Sequence, residues 1–190
     1  MTNRASDLKR GDCTAPTDPA LLGNPLDFFH EDHLRERQIC ATLDRIAYGD
    51  PPDPEDAASV RTFLEDELPL HLEDEELDLF PLVRRRCEPD AEIDRAIGRL
   101  SADHRHAEAE TPKVMAVLGA IEAGAHTMTE EERTALIGFA AHARRHLIFE
   151  NAIILPFARL RLTPDDLETL RLRMLQRRGL DRLMEFPDAD

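Results

Sequence analysis

Apolar residues return along this chain at steps of three and four, the interval that brings side chains back to one face of an α-helix. No stretch alternates with period two over the length of a strand. From Pro25 to about Ala47 the stripe reads Leu26, Phe29, His33, Glu36, Cys40, Leu43 and Ala47. Asn24 stands before it as an N-cap and Pro25 takes the first helical position. A second helix is predicted from Pro54, behind Asp53, to Arg86, kinked at Pro69 and ending on the cations Arg84, Arg85 and Arg86. The third opens at Pro89-Asp90 and carries Ile93, Ile97, Leu100, His104, Ala107, Glu108, Val114, Val117, Leu118 and Ile121. Pro112 should bend it and Gly124 follows its end. Thr129 and Glu132 form a capping box for a fourth helix bearing Leu136, Phe139, His142, His146, Phe149, Glu150 and Ile153, which runs past Pro156 to about Leu160. Thr163-Pro164 starts a shorter fifth that reaches about Arg178, with Gly179 as the residue after it.

Four long helices with short connections predict an all-α fold, an up-down-up-down four-helix bundle with an extra C-terminal helix. Residues 1–23 are expected to be a flexible arm, 24–161 the bundle, 162–180 the additional helix and 181–190 a tail. A chain of 190 residues is long enough to bury one core without staples. Its net charge of -15 argues against nucleic acid and anionic membrane as partners. Cys13, Cys40 and Cys87 are odd in number, widely spaced and form no C-x-x-C, which suits free thiols in a reducing compartment. With no leader-like apolar segment and no membrane-length run, the cytoplasm is the expected location.

The polar residues inside the apolar stripes carry the candidate chemistry. His71-Leu-Glu-Asp-Glu75 and His146-Leu-Ile-Phe-Glu150 each put an imidazole and a carboxylate one helical turn apart, and each is followed by proline, Pro81 and Pro156. His33 on the first helix and His104 on the third complete one histidine per helix. The interval from His33 to His71 is close to that from His104 to His146, and the dipeptides Asp32-His33 and Asp103-His104 match. The chain therefore reads as two copies of a helical hairpin. In an antiparallel bundle the four histidines and two glutamates converge on the axis, as most of a binuclear metal site. A purely structural bundle would strand these groups at one depth, at a cost of several kcal/mol.

On these residues the chain, from about 25 to 160, resembles the hemerythrin-like (HHE cation-binding) domain family. The resemblance implies a four-helix bundle around a non-haem di-iron centre. His33, His71, His104 and His146 would then be terminal ligands, and Glu75 and Glu150 bridges between two irons, with an oxo bridge as a further option. Two departures are visible. The oxygen carriers of the family place a second histidine one turn after the ligand on the third helix, where this chain has Glu108. They also use aspartate at i+5 on the fourth helix, where this chain has Glu150 at i+4. The pattern is closer to members linked to iron sensing, nitric oxide or repair of iron centres, and the missing C-x-x-C speaks against repair.

Glu108, one turn beyond His104, is expected either to reach the metal or lie beside a ligand, or to point to solvent and pair with a nearby arginine. His142 and Glu36 are expected as hydrogen-bonding neighbours of the ligands. His30 takes the same reading as His142, His106 points away, and His126 falls in a loop. Cys40 is expected to pack in the core. Two functions stay open: a di-iron protein that binds, senses or reduces O2, NO or peroxide, or an iron-responsive module whose metal state controls a partner protein.

Overall fold

The structure, a computed structural model, describes residues 15–87, 91–124 and 127–181. Helix α1 spans Pro25–Tyr48, opened by the Asn24 side chain accepting from the Leu26 N–H. Helix α2 runs without a break over residues 54–86 but contains two π-turns, Phe63–Glu67 and Glu75–Leu79. Helices α3 (Ala91–Glu122), α4 (Glu130–Ala152), α5 (Ile154–Arg161) and α6 (Pro164–Arg177) complete the chain order. Among the described residues there is no strand. Among these residues no helix is long and apolar enough to cross a membrane.

Each π-turn stands just before a proline, one ahead of Pro69 and one ahead of Pro81. Proline has no N–H to return to residue i−4, and a wider turn absorbs the missing bond. The kink expected at Pro69 thus takes the form of a π-turn. Pro156 acts differently. The single helix expected to run to about Leu160 breaks at Ile153 (φ −121°), which separates α4 from α5. The Thr129 capping box is present, and α6 has a second one, Thr163 with Asp166. Gly179, at φ 67°, ends α6 in the left-handed region that glycine enters at no cost.

The described part of the expected N-terminal arm, residues 15–23, is not loose. Pro19–Gly23 forms a 3-10 turn that packs on α1 and α6, Leu22 is fully buried in the core, and Thr17 is buried against Asp32. Burial of Leu22 removes a large apolar side chain from water, which holds this segment down. The expectations for Cys13, the Pro89-Asp90 helix start, His126 and the tail beyond residue 181 fall outside the described residues.

Helices α1, α2, α3 and α4 contact one another in a ring: α1 with α2, α2 with α3, α3 with α4, and α4 with α1. The core divides into two apolar clusters. One holds Leu26, Phe29, Leu79, Phe80, Ile97, Leu100 and Ile154; the other holds Ile39, Leu43, Leu64, Leu72, Leu118, Leu136 and Ala140. Along α1 and α3 the chain passes from the first cluster to the second, and along α2 and α4 from the second back to the first. That alternation is the up-down-up-down course. Between the clusters, every helix contributes a polar layer: His33 on α1, His71 and Glu75 on α2, His104 on α3, His146 and Glu150 on α4. All six are buried.

Candidate metal centre

The six polar residues face one another. Oε1 of Glu75 lies 3.2 Å from Nε2 of His71 and 3.6 Å from Nε2 of His33, while its Oε2 lies 3.1 Å from Nε2 of His104. Oε2 of Glu150 lies 3.4 Å from Nε2 of His33 and 3.3 Å from Nε2 of His146. Nε2 of His104 and Nε2 of His146 stand 3.3 Å apart. With metal–ligand bonds of about 2.1 Å, neighbouring ligands sit roughly 3.0 Å apart in an octahedron and roughly 3.4 Å apart in a tetrahedron. The observed separations fall in and around that range. Two donor groups result, His33 with His71, Glu75 and Glu150, and Glu75 with His104 and His146. Glu75 belongs to both, one oxygen turned toward each.

Both oxygens of Glu75, both oxygens of Glu150 and Nε2 of His33 and His71 are buried with no hydrogen-bond partner among the described residues. A buried carboxylate without a partner costs several kcal/mol. Imidazole and carboxylate donors in open, orphaned pairs fit a divalent transition metal, iron among them.

At His71 and His104 the bond made by the outer nitrogen sets how the inner one faces. Nδ1 of His71 donates to Oδ2 of Asp32 at 2.8 Å, and Thr17 Oγ1 donates to the other oxygen of Asp32 at 2.7 Å. Nδ1 of His104 donates to Oε1 of Glu76 at 2.7 Å, and Ser101 Oγ donates to Glu76 as well. A carboxylate can only accept, so these bonds fix the tautomer and leave the Nε2 lone pair pointing inward. Nδ1 of His146 has a more distant carboxylate, Oδ2 of Asp103 at 3.8 Å. Phe80 stacks on the His104 ring and Phe29 meets the His71 ring edge-on, which holds both planes.

The basicity of each donor follows from this geometry. Burial alone would push the imidazoles down, but Glu150 and Glu75 facing His33, Glu75 and Asp32 facing His71, and Glu75 facing His104 raise all three above 6.5. His146 is raised to about 9, Glu150 outweighing burial. The two carboxylates part company. Burial raises Glu150, with the Glu75 charge adding to it, whereas the surrounding imidazoles overcome burial at Glu75 and hold it well below 4.5. Asp32 is likewise brought down to about 2, burial being outweighed by His71.

Glu108 is not at the centre. Its side chain is exposed, and Ala107 takes the inward position one turn from His104. Residue i+4 is rotated some 40° past the starting residue and i+3 some 60° short of it, and the bundle axis lies on the i+3 side here. The stripe itself separates the two: Ile93, Ile97, Leu100, His104, Ala107 alternate steps of four and three, so a three-residue step is due after His104.

His142 and Glu36 stand outside both donor groups. They line, with Asp103, Ala107, Phe139, Ala143, His71, His104 and His146, a small cavity of about 20 Å³ beside the site. Nε2 of His142 is 3.6 Å from Oδ1 of Asp103 and its ring contacts His106, while burial lowers its basicity. His30 is exposed. Cys40 is fully buried in the apolar cluster, which pushes its thiol up to about 12, so it packs as a neutral side chain. Asp32, Glu76 and Asp103 are the carboxylates facing the buried histidines whose part the spacing of the His and Glu residues does not reveal. The paired Asp-His dipeptides were the available signal for two of them.

Residues 24–158 match the family model of the hemerythrin HHE cation binding domain, which covers well over half of the chain. No curated protein matches it.

Proposed function

Because the chain belongs to the hemerythrin HHE cation-binding domain family, we propose that it is a non-haem di-iron protein that binds, senses or reduces a small oxidant, O2, NO or peroxide, inside its bundle. The observation that carries this reading is the set of buried, orphaned donor atoms on His33, His71, Glu75 and Glu150, shared out as two groups through Glu75. His33 and His71 would hold one ion and His104 and His146 the other, with Glu75 and Glu150 between them. Two iron ions supply an open coordination position and one or two electrons for a diatomic molecule or peroxide.

The residues of the chain do the remainder. Asp32 and Glu76 keep two imidazoles aimed inward, and the two central carboxylates offset the positive charge of two cations. The apolar clusters above and below exclude bulk water. A cavity of about 20 Å³ has room for a guest of one or two heavy atoms, so the size of the space selects small ligands over organic substrates.

The test is metal analysis and an optical spectrum of protein prepared without oxygen, then exposed to O2 or NO. About two irons per chain and a spectral change on exposure are expected. A fully loaded sample holding one zinc and no iron sinks the proposal. A second reading, an iron-responsive module whose metal state controls a partner protein, draws on one observation: α6 is ion-paired to the very turn of α2 that carries Glu75.

A further inference from the structure

Helix α6 lies beyond residue 158, where the match to the family ends, yet it is fastened to the segment that presents Glu75. Asp74 immediately precedes the π-turn Glu75–Leu79 and Asp78 lies within it, and both are buried almost completely. The carboxylates sit at i and i+4 on the outer flank of α2, where they would repel each other if left alone. Three arginines of the α6 end satisfy all four of their oxygens. Arg177 bridges the pair, bonding Oδ1 of Asp74 through Nη1 and Oδ2 of Asp78 through Nη2 at 2.7 Å. Arg178 takes Oδ2 of Asp74 at 2.6 Å, and Arg173 takes Oδ1 of Asp78 at 2.6 Å. At the other end of α6, Asp166 receives Arg85 and Arg86 from the last turn of α2. Between the two ends, Leu170, Met174 and Leu175 enter the apolar cluster that floors the site.

We propose that α6 is a latch coupled to the metal centre, with Arg177 as a positioning residue that sets Glu75 through Asp74 and Asp78. The inference rests on the di-iron reading above. If α6 lifts away, four buried carboxylate oxygens lose their partners, and the segment around residues 74–78 must open to water to hydrate them. A π-turn spends one more residue than an α-turn, so its relaxation rotates the two flanking parts of α2 against each other by roughly 100°. His71 belongs to the N-terminal part and Phe80 to the C-terminal part, while Glu75 is the first residue of the turn itself. Glu75 can serve both donor groups only while the turn keeps its present form. By thermodynamic reciprocity, a metal that fixes Glu75 from inside tightens the docking of α6 on the outside by the same factor.

The experiment uses the full chain. Ferrous iron is titrated without oxygen in competition with a chelator, the optical spectrum is recorded, and amide hydrogen exchange over residues 164–177 is measured with and without iron. Iron should slow exchange in α6. Arg177→Ala should lower iron affinity by about 10–100-fold, alter the spectrum and abolish the effect of iron on α6, with Arg177→Lys restoring part of each. The double variant Arg85→Ala with Arg86→Ala, which removes both arginine partners of Asp166 at the far end of α6, should loosen the helix and leave iron affinity within about twofold. If Arg177→Ala keeps the affinity and spectrum of the original chain, or if exchange in α6 ignores iron, the latch is overturned while the di-iron reading stands. An original chain that binds no iron overturns both.

Discussion

Oδ2 of Asp32 on α1 accepts the Nδ1 proton of His71 on α2, at 2.8 Å. Asp103 on α3 stands toward His146 on α4 in the same sense, at 3.8 Å. In each half of the bundle, therefore, the aspartate beside one buried histidine faces the buried histidine of the next helix, within hydrogen-bond distance in the first half and beyond it in the second. The repeated Asp-His dipeptide thus places one histidine in the buried layer and one carboxylate toward the histidine of the next helix.

Loss of this support should weaken the site without unfolding the bundle. Asp32→Asn removes the charge while keeping the shape, and iron affinity should fall about 10–100-fold in a chelator competition. Asp103→Asn should cost less affinity, because its contact is longer and not aligned as a hydrogen bond. Equal losses in the two variants would contradict the distances.

The metal-free and iron-loaded proteins should respond to pH in opposite directions. The imidazoles of His33, His71 and His104 titrate above 6.5 and that of His146 at about 9, because facing carboxylates outweigh burial. A folded-state value above the unfolded one gives stability that is complete below 6.5 and lost as pH climbs through about 9. Metal-free protein should accordingly melt lower as pH rises across that window. Iron needs neutral imidazole, so its stabilisation should grow over the same window and fade as pH drops below it. Melting curves measured with and without iron should diverge as pH rises; a gap that stays constant would exclude these imidazoles as the linked groups.

Glu108→Ala should leave iron content, spectrum and reactivity unchanged, since its side chain is exposed. Ala107→Leu should act instead. It adds about three methyl-sized groups to a cavity of about 20 Å³, so iron should still load while the reaction with O2 or NO slows markedly in stopped-flow spectra. A strong effect of Glu108→Ala on the oxygen reaction would reverse this assignment.

Leu22→Ala tests whether residues 15–23 belong to the core. Leu22 is 1% exposed, so truncation should cost about 2–5 kcal/mol in denaturant unfolding. A loose arm would show no change.

The helical stripes, the caps at Asn24, Asp53, Thr129 and Thr163, and the one-histidine-per-helix pattern were all legible in the chain order. So was the buried layer of histidines and glutamates, because an imidazole or carboxylate interrupts an apolar stripe visibly and i, i+4 spacing is a local property of one helix. The turn at Ile153 was hidden. Pro156 lacks its bond to residue i−4 in either case, and whether the helix bends through it or breaks depends on what packs beyond.

A single helix already expresses its own ends, its apolar face and the spacing of ligands along it, and these could be read before any packing was known. Which of two adjacent positions points inward is not a property of one helix. On α3 the choice between Ala107 and Glu108, and on α4 the burial of Ala140 and Ala143 rather than Phe139 and His142, depend on where the neighbouring helices lie against each face. The same holds for Asp32, Glu76, Asp74 and Asp78. Along the chain they are acidic residues on a helix among many others, in a protein of net charge -15. Only the packing of α1 on α2, α2 on α3 and α6 on α2 turns them into partners for His71, His104 and the arginines of the C-terminal helix. A hydrogen bond between distant segments needs both ends in place, and the sequence records each end without the other.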